Sequence, residues 1–348
     1  MLGSLRRFYP VAAFFAGFIW DALTIGQRVR PLDFVRLGGF LAGAALLAWW
    51  LARRDARAVL PPSSDAGWRL RLGWQLPYLA VQFFFGGIFS ALFILYFKSS
   101  GHFGAWLVAL LLGSLLVANE FAGERYGRRF TLTWALFAIN AILLANFALP
   151  YALGSLDPRW FYVSTLAGAL LAQACWWLAP GRPGRIGPAW LLAGVLLAAW
   201  QAGMIAPVPL VKKELAVGQA FAQRDGDYLL QVEPAAAWEF WRSQASTVNV
   251  PPGGRLYGLS AVHAPRGVTA RLEHRWEFLA PAGWQVQGRS RFESSGGRER
   301  GFRGYSWIVA PAEGEWRLIV ATQDGRTIGI LPFRVVHAAP AQQEARRY

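Results

Sequence analysis

GMIAPVPLVKK, residues 203–213, is where one physical regime gives way to another. Ahead of it, apolar runs long enough to cross a bilayer follow one another with little pause. Behind it come short alternating segments separated by Gly, Pro and Asp. Pro207 and Pro209 cannot continue a helix, and Lys212 with Lys213 favours headgroups over hydrocarbon, so the stretch reads as the exit from a last membrane helix.

Composition points the same way. The chain has 348 residues, of which 55% are hydrophobic and only 16% charged, with a mean hydropathy of +0.29. Soluble domains carry about a quarter charged residues, so a multi-pass membrane protein is expected. The net charge of +15 divides unevenly at the junction: residues 1–210 hold 17 Lys+Arg against 7 Asp+Glu, and the rest hold 18 against 13. Ten of the fifteen charges therefore flank apolar helices, where arginine is expected from topology, and a nucleic-acid partner is not expected. The single cysteine, Cys175, excludes an internal disulfide and any cysteine-rich metal site. No A-x-A-like cleavage site follows the first apolar run, which reads as a retained helix.

Seven candidate spans meet, or nearly meet, the requirement of about 20 apolar residues: 8–25, 34–52, 74–97, 103–119, 130–150, 160–179 and 188–206. An amino terminus in the cytoplasm places twelve basic residues inside (Arg6, Arg7, Arg53, Arg54, Arg57, Arg69, Arg71, Arg125, Arg128, Arg129, Arg182 and Arg185). Only Arg28, Arg30, Lys98, Arg159 and the pair at the junction fall outside. That asymmetry predicts a cytoplasmic amino terminus and, after seven crossings, a periplasmic carboxy-terminal domain in a bacterial inner membrane. Trp49, Trp50, Trp74, Trp160, Trp176, Trp177 and Trp190 stand near span ends, as interfacial indoles do. Within or at the ends of the spans, Asp21, Gln82, Glu120, Asn140 and Asn146 need partners or water, which makes Asp21, Glu120, Asn140 and Asn146 candidates for function. Pairing with Arg28 or Arg125, or helix capping, accounts equally for the two carboxylates. Gly39, Gly43, Gly86, Gly87 and Ala91 suit close helix packing.

The segment after the junction reads as β. Runs at 255–264, 270–279, 283–292, 302–309, 314–322 and 327–336 are rich in β-branched and aromatic residues, with weaker ones at 215–222 and 228–232. In 302–309, Phe302, Gly304, Ser306 and Ile308 alternate with Arg303, Tyr305 and Trp307. Asp324-Gly325 suits a tight hairpin, and Asp225-Gly226 repeats the signal. Seven or eight such strands predict an all-β antiparallel sandwich of immunoglobulin-like outline. The expected layout is a membrane α-helical bundle at 1–211, a juxtamembrane connector with one or two weak strands at 212–253, the sandwich at 254–337 and a flexible tail at 338–348. The part holding Trp238 and Trp241 reads as a short helix or a surface loop.

Several of these pieces together resemble a known module. LYGLSAVHAP at 256–265, the triplet His274-Arg275-Trp276, GGRERGFRGYS at 296–306, GEWRLIVATQDGRTIG at 314–329 and Phe333-Arg334-Val335 are similar to domain of unknown function 2914, found in uncharacterised bacterial proteins. Upstream, FAGFIWDALTIG at 15–26, FGGIFSALFILYF at 85–97, ANEFAGERYGRRF at 118–130 and PVPL at 207–210 resemble members that carry a multi-helix block before the module. The resemblance implies the same two-part architecture and brings no catalytic residues with it.

No enzyme signature is present. His102, His263, His274 and His337 are scattered without metal-ligand spacing, Ser260 and Ser306 lack a G-x-S-x-G setting, and Gly296-Gly297 opens a strand without a Lys-Ser/Thr pair, so no metal or cofactor is expected. The candidate binding constellation is His274, Arg275, Arg298, Arg300, Arg303, Tyr305, Trp307, Trp316 and Arg317, since arginine with aromatic rings holds anions and sugar faces. The competing reading puts Trp276 and Trp316 in the core and leaves the arginines as a solvated face. The expected function is a non-enzymatic membrane protein whose sandwich binds or scaffolds an envelope protein, a glycan or an anionic lipid headgroup. The alternative is a transporter or membrane enzyme working through Asp21 and Glu120.

Overall fold

A computed structural model describes residues 31–348 apart from 64–66, 100–102, 121–125, 127–128, 225–226, 237, 240–241, 265–267, 296–300 and 340–342. Six helices lie among the described residues: α1 Pro31–Ala56, α2 Trp68–Ser99, α3 Phe103–Glu120, α4 Phe130–Leu153, α5 Arg159–Leu178 and α6 Gly187–Gln201. The expected count of seven spans is not reproduced, and the first span, 8–25, lies outside the described residues. Among the described residues, four helices are long and apolar enough to cross a membrane: Pro31–Ala56, Trp68–Phe97, Phe130–Leu153 and Arg159–Leu178. The apolar parts of α3 and α6, Trp106–Asn119 and Gly187–Gln201, are shorter.

The chain divides into two compact units. In the helical one, α4 is apolar nearly all round and mostly buried, as a central helix must be. Gly168 of α5 makes its approach to α4 close: a Cβ there would stand 2.5 Å from the Ile142 Cα. Small residues at helix crossings serve this purpose, although Gly168 was not among those singled out in the sequence. Gly43 and Gly87, which were, face the rings of Phe84 and Phe40 respectively. At the ends of α1 and α2, the Arg54 guanidinium lies over the rings of Trp50, Trp74 and Tyr78 and donates to the Tyr78 hydroxyl. Trp50 and Trp74, read as interfacial, thus also hold a cation.

The β unit gathers Ile205–Tyr348 with two short segments between helices, Lys98–Trp106 and Leu153–Leu156. Its strands are β1 Val211–Gly218, β2 Ala220–Arg224, β3 Asp227–Val232, β4 Thr247–Asn249, β5 Arg255–His263, β6 Thr269–Ala280, β7 Gly283–Ser295, β8 Phe302–Val309, β9 Gly314–Thr322, β10 Thr327–Val336 and β11 Glu344–Arg347. They form a five-stranded sheet in the order β4-β10-β9-β6-β7, a three-stranded sheet β1-β5-β8 and a second three-stranded sheet β11-β3-β2. All pairings are antiparallel except β4 with β10.

Alternation explains the layers. Leu272, Trp276, Leu318 and Val320 of the five-stranded sheet pack with Leu215, Leu256 and Val262 of β1-β5-β8 in one core. A smaller core joins Leu259 and Ala216, on the other side of β1-β5-β8, to Leu230 and Val232 of β3. The chain passes from β1 to β2 through Gly218, where a Cβ would meet the Gln231 carbonyl oxygen at 2.1 Å. Only glycine permits that approach.

Three boundaries differ from expectation. Residues 212–253 are not a connector: β1 pairs along its whole length with β5, and Lys212 and Lys213 are half-buried strand residues within it. Burial holds the Lys212 ammonium below its usual pKa, with Glu214 opposing the shift. The last residues form β11, paired with β3 where a flexible tail was expected. Among the described residues of 234–244 there is no helix, and Trp238 lies in an exposed turn.

Candidate functional site

The seven described residues of the expected constellation do not converge. Strand parity sends them to different surfaces, and Arg298 and Arg300 lie outside the described residues.

His274 is fully buried, a correction to its place on a binding face. On β6 it shares the inner face with Leu272 and Trp276. Its Nδ1 lies 2.8 Å from the Ser306 Oγ and its Nε2 2.7 Å from the Ser260 Oγ. The Trp276 indole donates to the same Ser306 oxygen at 2.9 Å. β5, β6 and β8 thus bring four polar side chains into one closed network. Burial pushes the His274 pKa down to about 3, so the ring is neutral at pH 7. A serine beside a histidine suggests acyl-transfer chemistry, but no solvent reaches this pair: Ser260, His274 and Ser306 are all buried, and the indole already occupies the Ser306 oxygen. Trp316 is likewise a core residue, its indole donating to the Ala312 carbonyl at 2.8 Å, as the competing reading held.

Arg275 and Arg317 come together on the outer face of the five-stranded sheet. Both reach Glu277, Arg275 at 3.4 Å and Arg317 at 2.6 Å, while Arg275 and Arg291 flank Glu273. Glu273 and Glu277 are nearly buried under these guanidinium groups. Arg317 also covers the ring of Trp284, 4.2 Å from its centroid. The two arginines are engaged by carboxylates of their own sheet.

Arg303, Tyr305 and Trp307 occupy the outer side of β8. Arg303 is bound to Asp227 at 3.1 Å, lies over the Tyr228 ring and donates to the Tyr348 backbone oxygen. Arg347 closes on the same Asp227, and hydrogen bonds from Arg347 and then Arg303 hold that carboxyl below its usual range. What this face leaves open is aromatic. Tyr305 is 40% exposed and Trp307 53% exposed. Tyr305 stacks on Phe221 with centroids 4.4 Å apart, and Trp307 continues the series at 6.2 Å from Tyr305.

In the helical unit, Asp21 and its neighbour Arg28 lie outside the described residues, as does Arg125. Glu120 is the last residue of α3. Asn140 and Asn146 are buried in α4. Asn140 donates to the Leu136 carbonyl of its own helix at 2.9 Å, while Asn146 accepts from Ser164 and from Thr165 of α5. The Asn140 Oδ1 and the Asn146 Nδ2 have no partner among the described residues. Asn119, not singled out in the sequence, accepts from the Tyr126 hydroxyl and donates to the Gln82 carbonyl at 3.0 Å. An amide within the apolar run 103–119 was the available signal. Among the described residues, no three His, Cys, Asp or Glu side chains gather to hold a metal ion.

No family model and no curated protein matches the chain. Among solved structures, an immunoglobulin-like protein (PA1606) from Pseudomonas aeruginosa matches 35% of this chain and 97% of its own length, at 15% identity and a TM-score of 0.20. The Pseudomonas fluorescens alkylpurine DNA glycosylase AlkC, bound to DNA containing an abasic site analog, matches over 88% of this chain and 82% of its own, at 10% identity and the same TM-score of 0.20. Likenesses at this level carry no argument about fold or function.

Proposed function

We propose that this chain is a multi-pass protein of the bacterial inner membrane whose β unit, an immunoglobulin-like sandwich of the domain of unknown function 2914 type, stands in the periplasm and binds or scaffolds an envelope protein or glycan. The observation that carries the binding role is the half-exposed pair Tyr305 and Trp307, ordered on Phe221 beside an arginine already fixed by Asp227. Rigid, partly exposed aromatic anchors cost little entropy to bury, which is why they recur as binding hot spots. The periplasmic placement is supported by the arginine asymmetry of the sequence, which favours a cytoplasmic amino terminus.

A photo-crosslinking residue at Val309, exposed next to Trp307 on the same side of β8, tests this reading in cells. The expected result is one specific adduct that disappears with Trp307→Ala or Tyr305→Ala. An adduct indifferent to both substitutions would count against it.

A transporter or membrane enzyme remains the second reading, and the unpartnered amide atoms of Asn140 and Asn146 are the observation in its favour. Under it, Asp21→Asn, Glu120→Gln or Asn146→Leu abolishes the cellular phenotype and Trp307→Ala does not.

A further inference from the structure

The β6–β7 hairpin ends in an apolar tip. Leu279 and Trp284 are cross-strand partners, as are Glu277 and Val286, so these side chains share the outer face of the five-stranded sheet. Leu279 is 42%, Trp284 39% and Val286 42% exposed, and the turn between the strands, Pro281-Ala282, adds no polar side chain. A bulge at Gln287 follows, and beyond it Arg289 and Arg291 stand exposed on the same face.

The charges there are out of balance. Arg289 sits directly opposite Arg275, a like-charge pairing that weakens a sheet unless an anion intervenes. Arg275 is already held by Glu273 and Glu277, and Arg289 has no ion pair among the described residues. Across β6, β7 and β9 this face carries five arginines, at 271, 275, 289, 291 and 317, against four glutamates, at 273, 277, 293 and 315. β7 is also the last strand of its sheet, so nothing from the described sheet covers that side.

We infer that this face, with Leu279, Trp284 and Val286 at its tip and Arg289 and Arg291 behind, docks on an anionic lipid surface. Indole and aliphatic side chains partition into the interface while arginines bind headgroup phosphates. The same chain carries helices apolar enough to cross a membrane, which keeps a bilayer at high local concentration. A second copy of the chain fits less well, since it would bring two faces of net positive charge together. The surface is separate from the Tyr305–Trp307 face and does not depend on what binds there.

The test uses the full chain with Cys175→Ser in nanodiscs of phosphatidylcholine alone, or of equal parts phosphatidylcholine and phosphatidylglycerol. A nitroxide is placed at Ala282→Cys in the turn or, as a control, at Val309→Cys, exposed on β8 of the other sheet. With phosphatidylglycerol, the label at 282 should become shielded from a water-soluble nickel reagent and accessible to oxygen, while the label at 309 stays in water. Arg289→Gln with Arg291→Gln should shift the docked-to-undocked ratio by about thirty-fold, from about 1 kcal/mol for each basic residue near an anionic surface. Val286→Ser, an exposed position whose change leaves the charges alone, should weaken docking on the phosphatidylglycerol discs. Equal nickel access with and without phosphatidylglycerol would overturn the proposal. So would shielding that survives loss of both arginines, which would indicate a protein contact instead.

Discussion

In the sandwich, both ring nitrogens of His274 meet serine hydroxyls, whereas in the helical unit Asn140 and Asn146 each keep one amide atom without a partner among the described residues. The difference follows from the backbone. Strands project side chains from three neighbours into a common layer, and a hydroxyl can rotate to complete whatever contact is lacking. In the helices each buried asparagine completes only part of its hydrogen bonding: Asn140 reaches its i−4 carbonyl, and Asn146 accepts from Ser164 and Thr165 of a neighbouring helix. The β network is therefore closed and structural, and the helical amides are where an added water or ligand would be felt.

Substitutions can break or sharpen that contrast. The largest effect is expected from Trp276→Ala, which empties a fully buried site and frees the Ser306 oxygen. A loss of about 3–5 kcal/mol is expected, read as reduced amide protection of β5, β6 and β9 in the full chain while the helices keep theirs. Unchanged protection would mean the indole is not the keystone of the core.

Acid should act next. The folded-state pKa of His274 lies near 3 and the unfolded value near 6.5, so between those limits the unfolded chain binds the extra proton. Stability of the sandwich is retained above pH 6.5 and declines as pH falls toward 3, at about 1.4 kcal/mol per pH unit. His274→Gln should flatten that slope in pH-dependent hydrogen exchange, and a slope that survives the substitution would assign it elsewhere.

Gly168→Ala tests the helical side, because its methyl would press on the Ile142 backbone. A cost of about 1–3 kcal/mol is expected in thermal unfolding followed by helical circular dichroism, with β-sheet exchange unaffected. Smallest of all, Asn140→Leu removes an amide whose oxygen has no partner among the described residues, and a change within about 1 kcal/mol is expected. Loss of the cellular phenotype without loss of stability would shift weight to the transport reading.

Much of this arrangement was legible in sequence, and the reasons are local. Phe302 to Val309 alternates, and its odd-numbered residues Tyr305 and Trp307 are indeed the open ones. Asp324-Gly325 does connect two paired strands. The binding constellation was misread because residues close in sequence were taken as close in space. His274 and Arg275 are neighbours, yet they face opposite sides of β6. The parity of Leu272, His274 and Trp276 on one side and Glu273, Arg275 and Glu277 on the other was the signal that separates them. β11 was not legible at all. EARR has no strand pattern, and what fixes it is pairing with β3 and the Arg347–Asp227 contact, 120 residues away in sequence.

The central claim is that the β unit stands outside the inner membrane, and cysteine labelling in intact cells tests it most directly. With Cys175→Ser in place, Gln323→Cys should react with a membrane-impermeant maleimide before any permeabilisation. Reaction only after the inner membrane is opened would put the sandwich in the cytoplasm and contradict the account.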